Sequence, residues 1–270
     1  MEGRKKCFNI LSVVILILVY CNILTSQITG VKFFLEKQSE KAAIDVYLVI
    51  AEGSAKSLRE RVQFGSQISL VVPKELTPKI AKSYMPLNDN QEYTGTVACR
   101  WNMFSKTISP SNNTECSYIS ITPELSPSSF YNNLKQGDKI KLFTLEFDGN
   151  QDCITGVRLY ENGLDASAEE KGMHGSDYSN AFNLGSIKSV YIGNESSKGL
   201  IWLTQKGKTL SSNVPGKEFE WYDADQNTLI NTTKNNAYKP VNDSVYYVKV
   251  KTGTCTIKSG IIRYSTKKSE

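Results

Sequence analysis

KIKLFTLEF, residues 139–147, is the stretch on which the fold class turns. In an extended chain Ile140, Leu142, Thr144 and Glu146 take one side, and Lys141, Phe143, Leu145 and Phe147 the other. Toward its end both sides turn apolar, the pattern of a strand covered by layers on both faces. Outward from it lie AIDVYLVIAE (43–52), SQISLVV (66–72), TGTVACRWNMF (94–104), SYISITPE (117–124) and TGVRLYE (155–161). These runs are short, rich in β-branched and aromatic residues, and separated by Gly, Pro, Asn, Asp and Ser clusters. Beyond residue 198, GLIWLTQ, KEFEWYDAD, NTLIN, SVYYVKVK and TIKSGIIRY continue the pattern. In SVYYVKV, Tyr246, Val248 and Val250 share one face and Lys249 the other, as in a half-buried antiparallel strand. No stretch after residue 40 sustains a helical stripe. The chain reads as all-β: two tandem β-sandwiches after an N-terminal signal segment.

The first residues place Arg4, Lys5 and Lys6 ahead of an apolar run from Cys7 to Leu24. A basic start followed by an apolar core is what the export machinery recognises, so residues 1–26 read as a signal peptide cleaved after Ser26. The alternative is an uncleaved anchor, because the run approaches the roughly 17–25 residues that span a bilayer. Cleavage lowers the net charge from +5 to +3, by loss of Glu2, Arg4, Lys5 and Lys6. It leaves Cys99, Cys116, Cys153 and Cys255 in a compartment that permits disulfides. Cys99 and Cys116 flank the turn SPSNN (109–113), which would reverse the chain between two strands, and they are the expected pair. Cys153 and Cys255, one in each half, are not expected to pair. The chain is placed in the periplasm, on the cell surface or outside the cell.

Charge divides the chain. Residues 197–270 carry 12 Lys and Arg against 6 Asp and Glu, which leaves residues 27–196 at −3. GNESSKG (193–199) between them is small and polar and reads as a linker. The expected units are therefore 27–192 and 200–270. In the second, Trp221 of FEWYD, then a turn, YYVKV and Gly-Thr-Cys resemble the small Ig-like modules repeated in secreted bacterial surface proteins. That family pairs a cysteine after YxVxV with one early in the module; only Cys255 is present here, so a bridge within the module is excluded. In the first, NLKQGDKIKLFTLEF and GVRLYENG (156–163), followed by a Gly/Asp-rich loop and NLGSIKSVYI, resemble the cohesin-like or carbohydrate-binding-like sandwiches that precede such modules. The resemblance implies non-catalytic binding or adhesion, with a glycan or a cell-surface protein as partner.

Residue inventory argues against catalysis. The one histidine, His174, lies in GMHGSD, and Ser176 and Asp177 are too close along the chain to complete a triad with it. There is no Gly-rich phosphate loop, no HExxH and no CxxC. Glu161, Asp165, Glu169, Glu170 and Asp177 gather in one loop. Glu161, Asp165 and Asp177 are the candidate ligands of a calcium ion there, the other reading being a solvated acidic loop. Tyr84, Tyr93, Phe130 and Tyr131, among Asn-rich loops, are the candidate glycan-stacking rings, and Trp101 is assigned to the core. The lysines of the second unit are spread singly along strands, so no nucleic acid is expected. Membrane contact is limited to the signal segment if uncleaved. The sequons at Asn112, Asn194, Asn231 and Asn242 matter only in a eukaryotic secretory route. Two further readings remain, a partner-docking module of a surface assembly and an accessory domain related to polysaccharide-degrading enzymes.

Overall fold

The computed structural model describes residues 27–84, 100–104, 109–110, 115–124 and 131–266, and in them the chain is all-β. The expected signal peptide lies outside the described residues. The first sheet has the order β12-β1-β2-β9-β5, from β1 (Gly30–Lys37), β2 (Ala43–Glu52), β5 (Leu76–Ser83), β9 (Lys139–Gly149) and β12 (Tyr191–Asn194). The second is built on β4 (Gln63–Pro73), flanked by β7 (Cys116–Glu124) with β6 (Arg100–Met103) beyond it, and by β10 (Arg158–Leu159) and β11 (Ala181–Leu184). A short pair, β3 (Ser54–Ala55) and β8 (Leu134–Lys135), stands apart.

Residues from 203 onward form sheets of their own. One joins β13 (Leu203–Lys206), β14 (Thr209–Ser212) and β17 (Ala237–Tyr238). The other runs β16 (Thr228–Thr233), β15 (Glu218–Asp223), β18 (Ser244–Thr252), β19 (Cys255–Lys258), with β20 (Ile262–Tyr264) also paired to β18. Trp221 is fully buried and stacks on Tyr238 at 5.5 Å. Trp101 is buried against Phe143 at 5.1 Å, tying the second sheet to the first, and Phe33 meets Phe182 edge-on at 6.1 Å. Such aromatic contacts add to the stabilisation from burial itself.

Strand β9 departs from the simple alternation read in KIKLFTLEF. Its register against β2 slips between Val46 and Tyr47, so that Phe143 faces Val46, Lys141 faces Tyr47 and Leu142 has no residue opposite. A β-bulge shifts the parity: Ile140, Phe143 and Leu145 point inward, Lys141 and Thr144 outward. The strand is apolar on both nominal faces because its face changes midway. It is not covered on both sides.

Residues 193–199 do not form a free linker. Gly193 and Asn194 pair with β1, Glu195 N–H donates to Phe33 O at 2.8 Å, and Lys198 N–H donates to Leu35 O at 2.9 Å. The two halves then meet at a fixed seam. The 3-10 helix Gln151–Gly156 is capped by Asn150, whose side chain accepts from Asp152 N–H. It lies against Thr254, whose N–H and Oγ1 donate to Asp152 Oδ2 at 3.0 and 2.9 Å. Gly156 leaves no room for a Cβ, which would stand 2.7 Å from Ile257 Cγ2 and 2.9 Å from Pro73 Cγ.

The disulfide lies on this seam. Cys153 of the 3-10 helix is bonded to Cys255 of β19, 102 residues away with Cα atoms 5.3 Å apart, and both side chains are buried. This overturns the expectation that Cys153 and Cys255 stay unpaired; of the expected Cys99–Cys116 bridge, only Cys116 is among the described residues. Cys116 carries a free thiol buried beneath the loop that follows β10, and Cys99 lies outside the described residues.

Candidate functional site

The outward face of the first sheet gathers aromatic rings and fixed polar groups. Because inward residues alternate with outward ones, β1 presents Phe34 and Glu36, β2 presents Asp45 and Tyr47, and β9 presents Lys139, Lys141 and Thr144. Tyr84 follows β5 directly, and its amide donates to Leu142 O at 2.9 Å. Phe34 and Tyr47 lie 5.9 Å apart, and the Lys139 ammonium sits 3.9 and 4.0 Å from their ring centroids. Lys139 also pairs with Glu36 at 3.2 Å, and Lys198 meets the other oxygen of that carboxylate at 2.6 Å. These hydrogen bonds, first that from Lys198, hold Glu36 below its ordinary pKa.

Asp45 is the buried anchor of the face. Thr144 Oγ1 donates to its Oδ1 at 2.6 Å, Gln38 Nε2 donates to the same oxygen at 3.0 Å, and Lys141 pairs with Oδ2 at 2.8 Å. A carboxylate so enclosed needs these partners to offset its lost hydration. Burial alone would lower the pKa of Lys141, but its hydrogen bonds to Asp45 and Tyr84 outweigh that and raise it. Lys141 stands 4.9 Å from the Tyr84 ring centroid and Lys82 5.8 Å. Burial, then the Asp45 charge, raises the pKa of Tyr47, so it stays a neutral phenol. Beside these groups an open depression of ≈ 520 Å³ is lined by Gln38, Asp45, Tyr47 and Lys198.

Of the four rings expected to hold a glycan, only Tyr84 is placed on this face. Tyr131 is fully buried and its hydroxyl donates to Gln63 at 3.0 Å, so it is a core residue. Tyr93 and Phe130 lie outside the described residues. Phe34 and Tyr47 were missed because each sits in a strand that reads as core. Their outward parity alone marked them.

The acidic loop does not form the expected calcium site. Asp165 is buried and bound bidentately by Arg158, with Nη1 and Nη2 each donating at 2.6 Å. Glu161 N–H donates to it at 2.8 Å and the Tyr118 hydroxyl at 3.5 Å, so four donors already meet its two oxygens. Glu161 is itself turned inward, and burial, before any other influence, raises its pKa. Asp177 is exposed and accepts from Ser179 N–H at 2.8 Å, closing its own turn. The loop is also not a solvated strap. Ala166, Met173 and Tyr178 pack with Tyr118, Tyr160 and Cys116 over the outer side of the second sheet. His174, at φ 53°, is exposed at the turn.

Comparison with known proteins finds no family model that matches the chain, and no similar curated protein or solved structure.

Proposed function

We propose that the chain is an exported, non-catalytic binding protein that takes a glycan on the outward face of the first sheet. The observation that carries this reading is the set Phe34, Tyr47 and Tyr84 interleaved with Gln38, Asp45, Lys141 and Thr144. Sugar rings offer apolar C–H faces to aromatic side chains and hydroxyls to amide, carboxylate and ammonium groups. The polar groups here are already held by one another, so binding orders few side chains. The basic and apolar N-terminus and the buried cystine both suit an oxidising compartment outside the cytoplasm. The cohesin-like and Ig-like resemblances of the two halves belong to the same functional class. The test is retention of the secreted chain on immobilised polysaccharides. Retention that disappears in Tyr47→Ala and in Tyr84→Ala supports the reading; a panel with no retained sugar overturns it.

One observation favours a second reading, a docking module for a protein strand. Strand β16 is the edge of its sheet, holds no charged residue, and exposes Leu229 and Ile230. An unpaired edge of that kind can accept another strand. Capture of a partner that Ile230→Lys abolishes and Tyr47→Ala leaves intact would select this reading.

A further inference from the structure

A second cleft, of ≈ 420 Å³, opens between the loop after β10 and the sheet containing β18 and β19. Its lining includes Tyr118, Arg158, Asp165, Tyr247, Lys258 and Arg263. The charges in it are unevenly satisfied. Arg158 spends Nη1 and Nη2 on Asp165, while its buried Nε has no acceptor. Asp165 is already occupied by Arg158, the Glu161 amide and, at 3.5 Å, the Tyr118 hydroxyl. It has no capacity left for a second cation. Lys258 is half-buried with its ammonium 4.1 Å from the Tyr247 ring centroid, and it has no ion pair or hydrogen-bond acceptor among the described residues. Burial, and then the nearby Arg158 charge, lower its pKa, the sign of a cation short of a counter-ion. Arg263 is exposed at the mouth and likewise has no ion pair among the described residues.

We infer that this cleft binds a small hydroxylated monocarboxylate, of the hexuronate class, with its carboxylate on Lys258 and its hydroxyls toward the mouth. The single uncompensated cation in the interior sets the charge of the ligand. Glu170 and Asp225, exposed at the mouth, oppose a dianion and instead accept hydrogen bonds from hydroxyls. Leu164 and Ile261, both half-buried in the lining, supply apolar surface for a C–H face. The volume lies within the range of about 300–1,000 Å³ usual for small-ligand sites. The cleft is separate from the sheet face that carries the proposed glycan site, so the two stand or fall independently.

The experiment is calorimetric titration of the secreted chain with sodium glucuronate, glucose and inorganic phosphate. Glucuronate is expected to bind, and both glucose and phosphate to bind at least 10-fold more weakly. Lys258→Met is expected to weaken glucuronate at least about 10-fold, the scale of losing one charge-assisted hydrogen bond. Arg263→Gln is expected to weaken it a few-fold, and this exposed position gives a readout free of folding effects. Tyr47→Ala should leave glucuronate binding unchanged. The inference is overturned if glucuronate does not bind, if glucose or phosphate binds as tightly, or if neither Lys258→Met nor Arg263→Gln changes its affinity.

Discussion

Replacing both bridged cysteines, Cys153→Ala with Cys255→Ala, removes the disulfide that cross-links the two halves. The bridge closes a loop of 102 residues, and for a loop of about 100 residues the chain-entropy model gives about 4.7 kcal/mol of stabilisation. Alanine leaves no polar group in a seam where Cys153 and Cys255 are 0 and 5% exposed, so the loss comes from the unfolded chain and a small void. Non-covalent contacts of the seam, Asp152 with Thr254 and Ile201 N–H with Thr155 O at 2.7 Å, remain. For a chain of this size each kcal/mol moves the midpoint by roughly 2–4 °C, so the double variant should melt about 9–19 °C lower. The assay is urea unfolding and calorimetry of oxidised wild type against the double variant, with thiol titration to verify the bridge. A loss under about 1 kcal/mol, or an oxidised protein whose bridge joins Cys116 instead, refutes this reasoning.

Three further outcomes follow from the same structure. Arg158→Met strands the buried carboxylate of Asp165 and should cost about 3–5 kcal/mol in urea unfolding, whereas Arg158→Met with Asp165→Leu should recover most of it. Glu161 has a raised folded pKa, so its protonated form is the one the fold favours; stability it contributes at low pH is lost as pH rises through that pKa. Glu161→Gln should therefore flatten the acid limb of the stability–pH profile from pH 4.5 upward, and a profile identical to wild type would contradict the burial. Millimolar calcium should leave the melting temperature unchanged, because Asp165 is already saturated by Arg158 and the Glu161 amide; a raised midpoint against chelator would restore the metal reading.

The all-β character was legible in local pattern, because strand periodicity and turn residues act over a few positions. Trp101 and Trp221 could be assigned to the core for the same reason: each alternates with polar or core neighbours in a short strand. The bulge in β9 was not legible. A parity change needs the partner strand to define it, and both Leu142 and Phe143 are apolar. Cysteine pairing failed for a longer-range reason. Cys99 and Cys116 are near in sequence, whereas Cys153 and Cys255 meet only because the 3-10 helix docks on β19 across the seam. Asp165 looked like a ligand among five acids, and Arg158, seven residues earlier, gave a signal that two-residue periodicity passed over. Phe34 and Tyr47 could have been found by asking which rings alternate out of step with the buried Phe33 and Leu48.

The glycan-binding reading is tested most directly by titrating one retained oligosaccharide into wild type and into Tyr47→Ala/Tyr84→Ala, with folding checked by melting temperature. An aromatic contact beyond burial is worth about 0.5–1.5 kcal/mol, so losing two should weaken binding by about 5-fold to about 150-fold at unchanged fold. An affinity in the folded double variant equal to that of wild type would contradict the placement of the glycan on this sheet.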